Sequence, residues 1–503
     1  MASLVAHQKQ YVLGPSAVRI RPDWVITPID DGLILSHCPR LAVQRLRSRD
    51  DRHYWLIGLA APADAIVESL AAAFSARDSS EIEMWTGNWA GKWLLISPER
   101  CWPDASSSLA VNYRMVGGDL WLSNSPALLS DRLPGVPSLP RIPWQVTAAK
   151  GMDWIPAPLT TRDGIRMLLP QRTIDPRDGS IRPVRMARPN RDLSNAFETL
   201  ADALRIVMVN WGRSAFAEKL VGLTAGLDTR TLLAAACAAK IDIRSHTISF
   251  PFMSRRDRML PPRLAATVGV PHAFRTLAPV DDADAKARAA VIAEHMDGAT
   301  SHPSFDHLAR FQRGRDGDRD RTSANGTCFE VGRCYFWNRF TRAGLSDRRP
   351  TADQILQAFA HESSWRPVPL DSWRDAMHAW VESLSDPVPL AHDWRDRFYL
   401  DQRLGAWNAN TQRTADLVES TTFNPANCLW LFDLLLQPDA AKRRQGAAQR
   451  EAIRILEPRL LKYPINPRPL SDRLTQGAKS MLGPHLRSKL RSLKQLITGD
   501  QPR

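Results

Sequence analysis

Short apolar-rich runs, broken by turns, dominate the chain from Ala17 to about Asp131: VRIRPDWVITPI, LILSH, YWLIGLA, KWLLIS, LAVNYR and DLWLSNS. Short runs bounded by turn residues predict strands, whereas only Asp64 to Ala76 (DAIVESLAAAFSA) carries a helical repeat. Residues Leu133 to Asn190 are rich in proline and turn residues, as in LPGVPSLPRIP, IPAPL and MLLPQRTIDPRDGSIRPVRM, and read as a boundary region. Beyond it, Leu193 to Ser214 has the repeat of an amphipathic helix and leads into an apolar run at Leu220. Further strands are expected at Ile243 to Phe250 and His272 to Leu277, with a helix over Arg263 to Gly269 between them.

Alternating strand and helix imply a doubly wound parallel sheet, whose ligands sit at the C-terminal ends of its strands. The expected fold is therefore α/β. A strand-rich α+β sandwich domain covers residues 1–190, a parallel-sheet domain with a helical C-terminal part covers 191–470, and a basic tail covers 471–503. Trp394 to Ser420 reads as one long amphipathic helix with Trp394 and Trp407 in its core face. In the tail, Leu482, Leu486, Leu490, Leu493 and Leu496 recur at helical spacing among basic residues. Such a face suits either an anionic membrane surface, touched peripherally, or a partner, and Gly483 and Pro484 interrupt its start.

Leu220 to Lys240 (LVGLTAGLDTRTLLAAACAAK) carries the most specific chemistry. A β-type run enters the small, hydroxylated turn Thr224, Ala225, Gly226, Asp228, Thr229, and a Leu/Ala-rich helical run follows. Backbone N–H groups at a helix N-terminus attract anions, and small residues let a phosphate approach. By spacing alone the turn reads first as an ordinary strand–turn–helix of an α/β domain. Charge is compatible with a phosphate: 67 basic against 53 acidic residues leave +14, which favours anionic small molecules or nonspecific nucleic acid without choosing between them. Neither GxxxxGK[ST] nor GxGxxG is present, six scattered cysteines form no Cys-x-x-Cys pair, and they read as reduced, mostly packed thiols. No run approaches the roughly 18 apolar residues of a membrane span, and the N-terminus lacks a sustained apolar core, so a cytoplasmic protein is expected. Arg313 to Arg321 mixes both signs of charge and reads as a solvated loop.

Thr224 to Thr229 aligns without gaps to S-G-G-x-D-S, the pyrophosphate loop of the ATP-pyrophosphatase fold, keeping Gly226 and Asp228 and replacing both serines by threonine. Its surroundings resemble the asparagine synthetase family, which pairs such a domain with an N-terminal class II glutamine amidotransferase domain. Asp104, Tyr113 and Ser123 lie in a segment similar to the end of that first domain, GIRMLLPQRTIDPRDGSIRPV resembles the family's joining hairpin, and Asp257 and Val268 to His272 resemble the segment after the second strand. The likeness spans roughly Gly87 to Pro467. It implies ATP and magnesium as cofactors, with Thr224, Ala225, Gly226, Asp228 and Thr229 at the nucleotide.

The family's second motif, S-G-E-G-x-D-E, aligns with Ala324 to Glu330, placing Phe329 where an aspartate ligates magnesium and retaining Glu330; Asp228 and Glu330 are the implied metal pair. Met1 is followed by Ala2, and the nearest cysteine is Cys38, so the N-terminal nucleophile of the glutaminases is missing. The chain is thus similar to the branches resembling β-lactam synthetases and lasso-peptide cyclases. What this implies is an ATP-dependent ligase that activates a carboxylate as an acyl-adenylate and forms an amide on a small-molecule or peptide substrate, with no specific nucleic-acid partner. The resemblance gives Tyr399 with Glu419 as the proton-accepting pair, Tyr335 as a second tyrosine, and Lys462 as the charge near the adenylate. As plain structure, each tyrosine fits a helix face and Lys462 a helix cap. Arg230 suits either phosphate or solvent, while His246 and His272 read as structural. Two other readings stand beside the ligase: a noncatalytic nucleotide-binding or scaffold homologue, and an ammonia-dependent asparagine synthetase.

Overall fold

The computed structural model describes residues 4–30, 32–142, 152, 154–186, 195–249, 253–297, 309–313, 320–345, 348–360, 371–390, 393–418 and 420–466. Met1–Lys462 forms one compact unit and Tyr463–Arg503 a second. The boundaries expected at 190 and 470 both fall in segments outside the described residues, as does the leucine-rich tail.

Twelve strands build two antiparallel sheets at the N-terminal end: β1 (Tyr11–Gly14), β2 (Val25–Asp30), β3 (Leu33–His37), β4 (Val43–Arg47), β5 (His53–Pro62), β6 (Trp89–Ile96), β7 (Cys101–Pro103), β8 (Asn112–Val116), β9 (Asp119–Ser123), β10 (Arg166–Met167), β11 (Arg172–Ile174) and β12 (Ile181–Pro183). One sheet runs β10-β8-β9-β1-β3-β2 and the other β12-β11-β7-β6-β5-β4. Successive residues of a strand point to opposite faces, and here both faces are apolar. Trp55 and Ile57 on β5, and Leu94 and Ile96 on β6, enter a core shared with Tyr11, Leu13, Leu35 and Leu122 of the facing sheet. Their neighbours Tyr54, Leu56, Trp93 and Leu95 point the other way, onto Phe74, Ile82 and Trp85 of the helices Leu70–Ser75 and Ser79–Trp85. The helix expected from Asp64 begins only at Leu70, where Ser69 caps it.

A third sheet follows, with β13 (Glu218–Gly222), β14 (Arg244–Ser249), β15 (His272–Pro279), β16 (Phe311–Arg313), β17 (Arg321–Ala324) and β18 (Thr421–Phe423) in the order β16-β15-β14-β13-β17-β18. All its pairings are parallel except β15 with β16. The chain is thus an α/β protein, in which antiparallel strand-rich sheets precede a five-stranded parallel sheet with helices. The strand order reverses between β13 and β17, which makes a crevice at their C-terminal ends. The helix between β14 and β15 spans Arg255–Thr267, earlier than the proline pair Pro261–Pro262 suggests, because Ser254 caps it and accepts from the N–H of Asp257.

Buried polar bonds knit the sandwich to the later chain. Asn427 Nδ2 donates to the Gly91 carbonyl and to Asp104, each at 2.7 Å, and Lys92 pairs with Asp416 at 2.7 Å. Asn210 donates to the Pro62 carbonyl at 2.8 Å, Gln402 to that of Ala157 at 2.9 Å, and Arg413 to that of Asn124 at 2.9 Å. Asp104 is fully buried, and it also accepts from the N–H groups of Trp93, Ser106, Ser108 and Leu109.

Candidate functional site

The loop after β13 is the tip of the switch point. Leu220, Val221 and Leu223 are buried and fix the strand, and Gly226 is the N-cap of the helix Leu227–Ala238 with no side chain capping its first turn. Earlier amides in the loop are tied internally. Thr229 Oγ1 accepts from the Thr224 N–H at 3.0 Å, Thr224 Oγ1 from the Gly226 N–H at 3.1 Å, and Asp257 from the Ala225 N–H at 3.0 Å. The two threonine hydroxyls lie 2.9 Å apart. These bonds hold the turn in shape and aim the first helical amides, with their partial positive charge, at the crevice. Arg230 is wholly buried and donates to the carbonyls of Leu460 and Ala225, so it braces the loop from behind and points neither to solvent nor to a phosphate.

The loop after β17 packs directly against the first. A methyl placed on Gly326 would come within 3.0 Å of the Thr229 nitrogen and 3.1 Å of the Asp228 carbonyl carbon. Gly326→Ala is therefore expected to cost ~1–3 kcal/mol in urea unfolding, since the opposing atoms are backbone.

Beyond Gly326 a 3₁₀ turn, Phe329–Arg333, brings positions three apart onto one face. Glu330 and Arg333 are so spaced. Arg333 Nη2 donates to Glu330 Oε1 at 2.9 Å and to Asp228 Oδ2 at 2.7 Å, and Tyr399 donates its hydroxyl to Glu330 Oε2 at 2.9 Å. A continuous chain Asp228–Arg333–Glu330–Tyr399 results. Side-chain exposures of 17% for Asp228, 25% for Arg333 and 36% for Glu330 leave it reachable from outside. Tyr399 opens a π-helical segment, Tyr399–Asn408, set between the helices Trp394–Phe398 and Ala409–Val418. Within it Asp401 and Gln402 are fully buried and bound to Trp380 and Ala157, and these fixed partners override the regular repeat expected of one long helix.

Burial pushes the Asp228 carboxyl up to about 7 against the pull of Arg333, with Glu330 adding to the rise. Its ordinary value is 3.8. The folded chain therefore keeps a proton that the unfolded chain releases near pH 4, and stability falls as pH rises through that window. At 1.36 kcal/mol per unit, roughly three units set a ceiling of ~4 kcal/mol. Relative to Asp228→Asn, wild type is expected to lose unfolding free energy between pH 4 and pH 8 and to change little above that, as urea titrations at several pH values would measure. A constant difference would mean that Asp228 ionises normally. Burial also raises the Tyr399 hydroxyl well above its usual range, and the neighbouring Glu330 adds to this.

Of the residues singled out in sequence, the structure gathers Thr224, Ala225, Gly226, Asp228 and Thr229 on one loop, and Arg333 links Asp228 of that loop to Glu330, which Tyr399 holds. Glu419 lies outside the described residues, and the carboxylate on Tyr399 is Glu330. Tyr335 is 44% exposed, its ring 5.2 Å from that of Tyr399. Lys462 is exposed at the end of the turn Pro458–Lys462, two residues past the carbonyl that Arg230 holds. His272 meets Ser245 at 3.0 Å, and the His246 carbonyl accepts from Leu223 at 2.8 Å. Arg333 escaped the sequence reading; its signal was the three-residue spacing from Glu330.

Magnesium, implied by the resemblance, does not fit a site shared by Asp228 and Glu330. One guanidinium nitrogen already bridges them, and the expected third donor, Phe329, is a fully buried ring. Among the described residues no group of three or more His, Cys, Asp or Glu is placed to hold a metal ion, and no helix is long and apolar enough to cross a membrane.

No family model matches the chain, and no curated protein matches it. Among solved structures it is similar to a glutamine-dependent NAD+ synthetase from Acinetobacter baumannii in complex with ADP, at 16% identity and a TM-score of 0.18 over 30% of this chain. The match spans only 26% of that synthetase chain. Another similarity is to an NMN synthetase from Francisella tularensis, at 10% identity and a TM-score of 0.19, covering 42% of this chain and 94% of the other.

Proposed function

We propose that the chain is an ATP-dependent amide-bond-forming ligase built like the asparagine synthetases. The observation that carries the reading is the joining, at the switch point, of the loop Thr224–Thr229 through Asp228 and Arg333 to the Tyr399–Glu330 pair. ATP lies with its pyrophosphate over the first amides of the helix Leu227–Ala238. A substrate carboxylate oxygen bonds to the α-phosphorus as the bond to the β-phosphate oxygen breaks, giving an acyl-adenylate and pyrophosphate. An amine nitrogen then bonds to the acyl carbon, and AMP leaves with its electron pair.

The amine must shed a proton, and Tyr399 is placed to pass it on. A free tyrosinate is costly in so buried a position, so the phenol accepts the amine proton only as its own moves to Glu330, already 2.9 Å away. The substrate amine and carboxylate belong to a small molecule or a peptide. ATP binding by the full chain, followed by pyrophosphate release with a panel of carboxylates that includes aspartate plus ammonia, tests the reading. Absence of ATP binding would sink it, and asparagine as product would select the asparagine synthetase variant.

A second reading, a noncatalytic nucleotide-binding homologue, is favoured by Phe329 and by the closed Asp228–Arg333–Glu330 bridge. It requires ATP binding without pyrophosphate release for any substrate.

A further inference from the structure

We propose that Arg333 supplies, as a built-in cation, the positive charge that a divalent ion would otherwise supply between Asp228 and Glu330, so that this pair holds no metal and the pyrophosphate group is met by a guanidinium. The inference deepens the nucleotide reading and rests on it for the identity of the anion; the claim about the metal stands on the side chains alone.

Three features of the pair lead there. A single nitrogen, Arg333 Nη2, contacts both carboxylates, at 2.7 and 2.9 Å, which is the bridging position an ion would take. The remaining oxygen of Glu330 is engaged by the Tyr399 hydroxyl at 2.9 Å, so that carboxylate has no idle oxygen for a metal. Phe329, at the place of the third donor, is fully buried and turns its backbone carbonyl to Gln449 Nε2 at 2.7 Å, so its ring belongs to the core.

The arrangement is built into the backbone. Cys328 and Cys334 flank the turn with φ of +77° and +52°, and between them the 3₁₀ geometry fixes Glu330 and Arg333 on one face. Arginine keeps its charge at every physiological pH, and one of its nitrogens reaches both carboxyl groups at once. A divalent ion entering between the carboxylates would have to expel it against both bonds. Magnesium demands near-ideal octahedral oxygen donors, which a guanidinium and a phenyl ring do not provide. Arg333 Nε is buried without a hydrogen-bond partner, leaving a donor not committed to either carboxylate.

The test is a titration of the full chain with Mn²⁺, read by electron paramagnetic resonance in the absence of nucleotide, alongside binding of inorganic pyrophosphate in EDTA. Wild type is expected to bind no Mn²⁺ at this pair, and Arg333→Met to gain one site that a second change, Asp228→Asn, removes. Arg333→Lys keeps a cation and is expected to remain blind to Mn²⁺, which guards against a poorly folded Met variant. Pyrophosphate is expected to bind wild type without metal and to bind Arg333→Met about tenfold or more weakly, the effect of one lost charged hydrogen bond. A wild-type Mn²⁺ site abolished by Asp228→Asn would overturn the proposal, as would pyrophosphate binding that vanishes in EDTA. Failure of ATP and pyrophosphate to bind under any condition would overturn the nucleotide reading and leave the metal result to be judged by the Mn²⁺ titration.

Discussion

Tyr399→Phe is expected to leave pyrophosphate release from ATP within a few-fold of wild type while lowering amide formation by ~10²–10⁴, the usual contribution of a positioned proton acceptor. The separation follows from where Tyr399 sits. Its hydroxyl donates to Glu330, which puts it in the path of the amine's proton rather than at the α-phosphorus. Glu330→Gln should reproduce the defect, because an amide cannot take the phenol's proton. The measurement is single-turnover chemistry with acyl-adenylate and amide quantified separately. Accumulating acyl-adenylate supports the assignment, whereas equal loss of both steps in Tyr399→Phe would mean that the tyrosine merely supports the site. Phenylalanine fits the same cavity, its ring neighbours being Tyr335 and Phe336 at 5.2 and 6.1 Å, so folding should survive.

The opposite split is expected of Asp228→Ala. Asp228 stands in the first turn of the helix Leu227–Ala238 and anchors Arg333 beside the phosphate-facing amides at 2.7 Å. Without it the guanidinium is held by Glu330 alone and is free to swing from the loop. Loss of one preorganised electrostatic group commonly costs ~10²–10³ in rate, and here the loss should fall on pyrophosphate release. Stability should not collapse. The side chain removed is a desolvated carboxyl whose Oδ1 has no hydrogen-bond partner, an unfavourable feature of the wild type. Unchanged ATP affinity and pyrophosphate release in the variant would show that this loop is not the nucleotide site.

The parts that could be read from sequence are those decided within a few residues. The β13 loop and its helix announce themselves because small hydroxylated residues sit between a short apolar run and an alanine-leucine run. Sandwich strands such as β5 and β6 show through near-continuous apolar runs, which both of their faces bury. β4 does not, since in VQRLR the apolar residues fall three apart and the arginines face outward from an edge strand. The partner of Tyr399 was beyond reach for a different reason: Glu330 lies 69 residues earlier and meets it only after folding. Arg333 required knowing that its turn is 3₁₀, because in an extended segment a residue three positions on points to the other face. The π segment was likewise invisible, since its hydropathy is that of an ordinary helix and its widening is imposed by buried partners.

The bonds tying Asn427, Asn210, Gln402, Arg413 and Asp416 to the sandwich bear on how such a chain can change over evolutionary time. A buried donor or acceptor stripped of its partner costs about 1–3 kcal/mol, and an unpaired charge more. Deleting the first 184 residues would orphan several at once and bare the apolar wall around Phe423, whose ring lies against Gly91. Selection acting only on the later chain would thus conserve the earlier one, even if the latter performed no reaction. The same bonds couple the two parts in stability, so that a substitution in one is felt as a lost partner in the other.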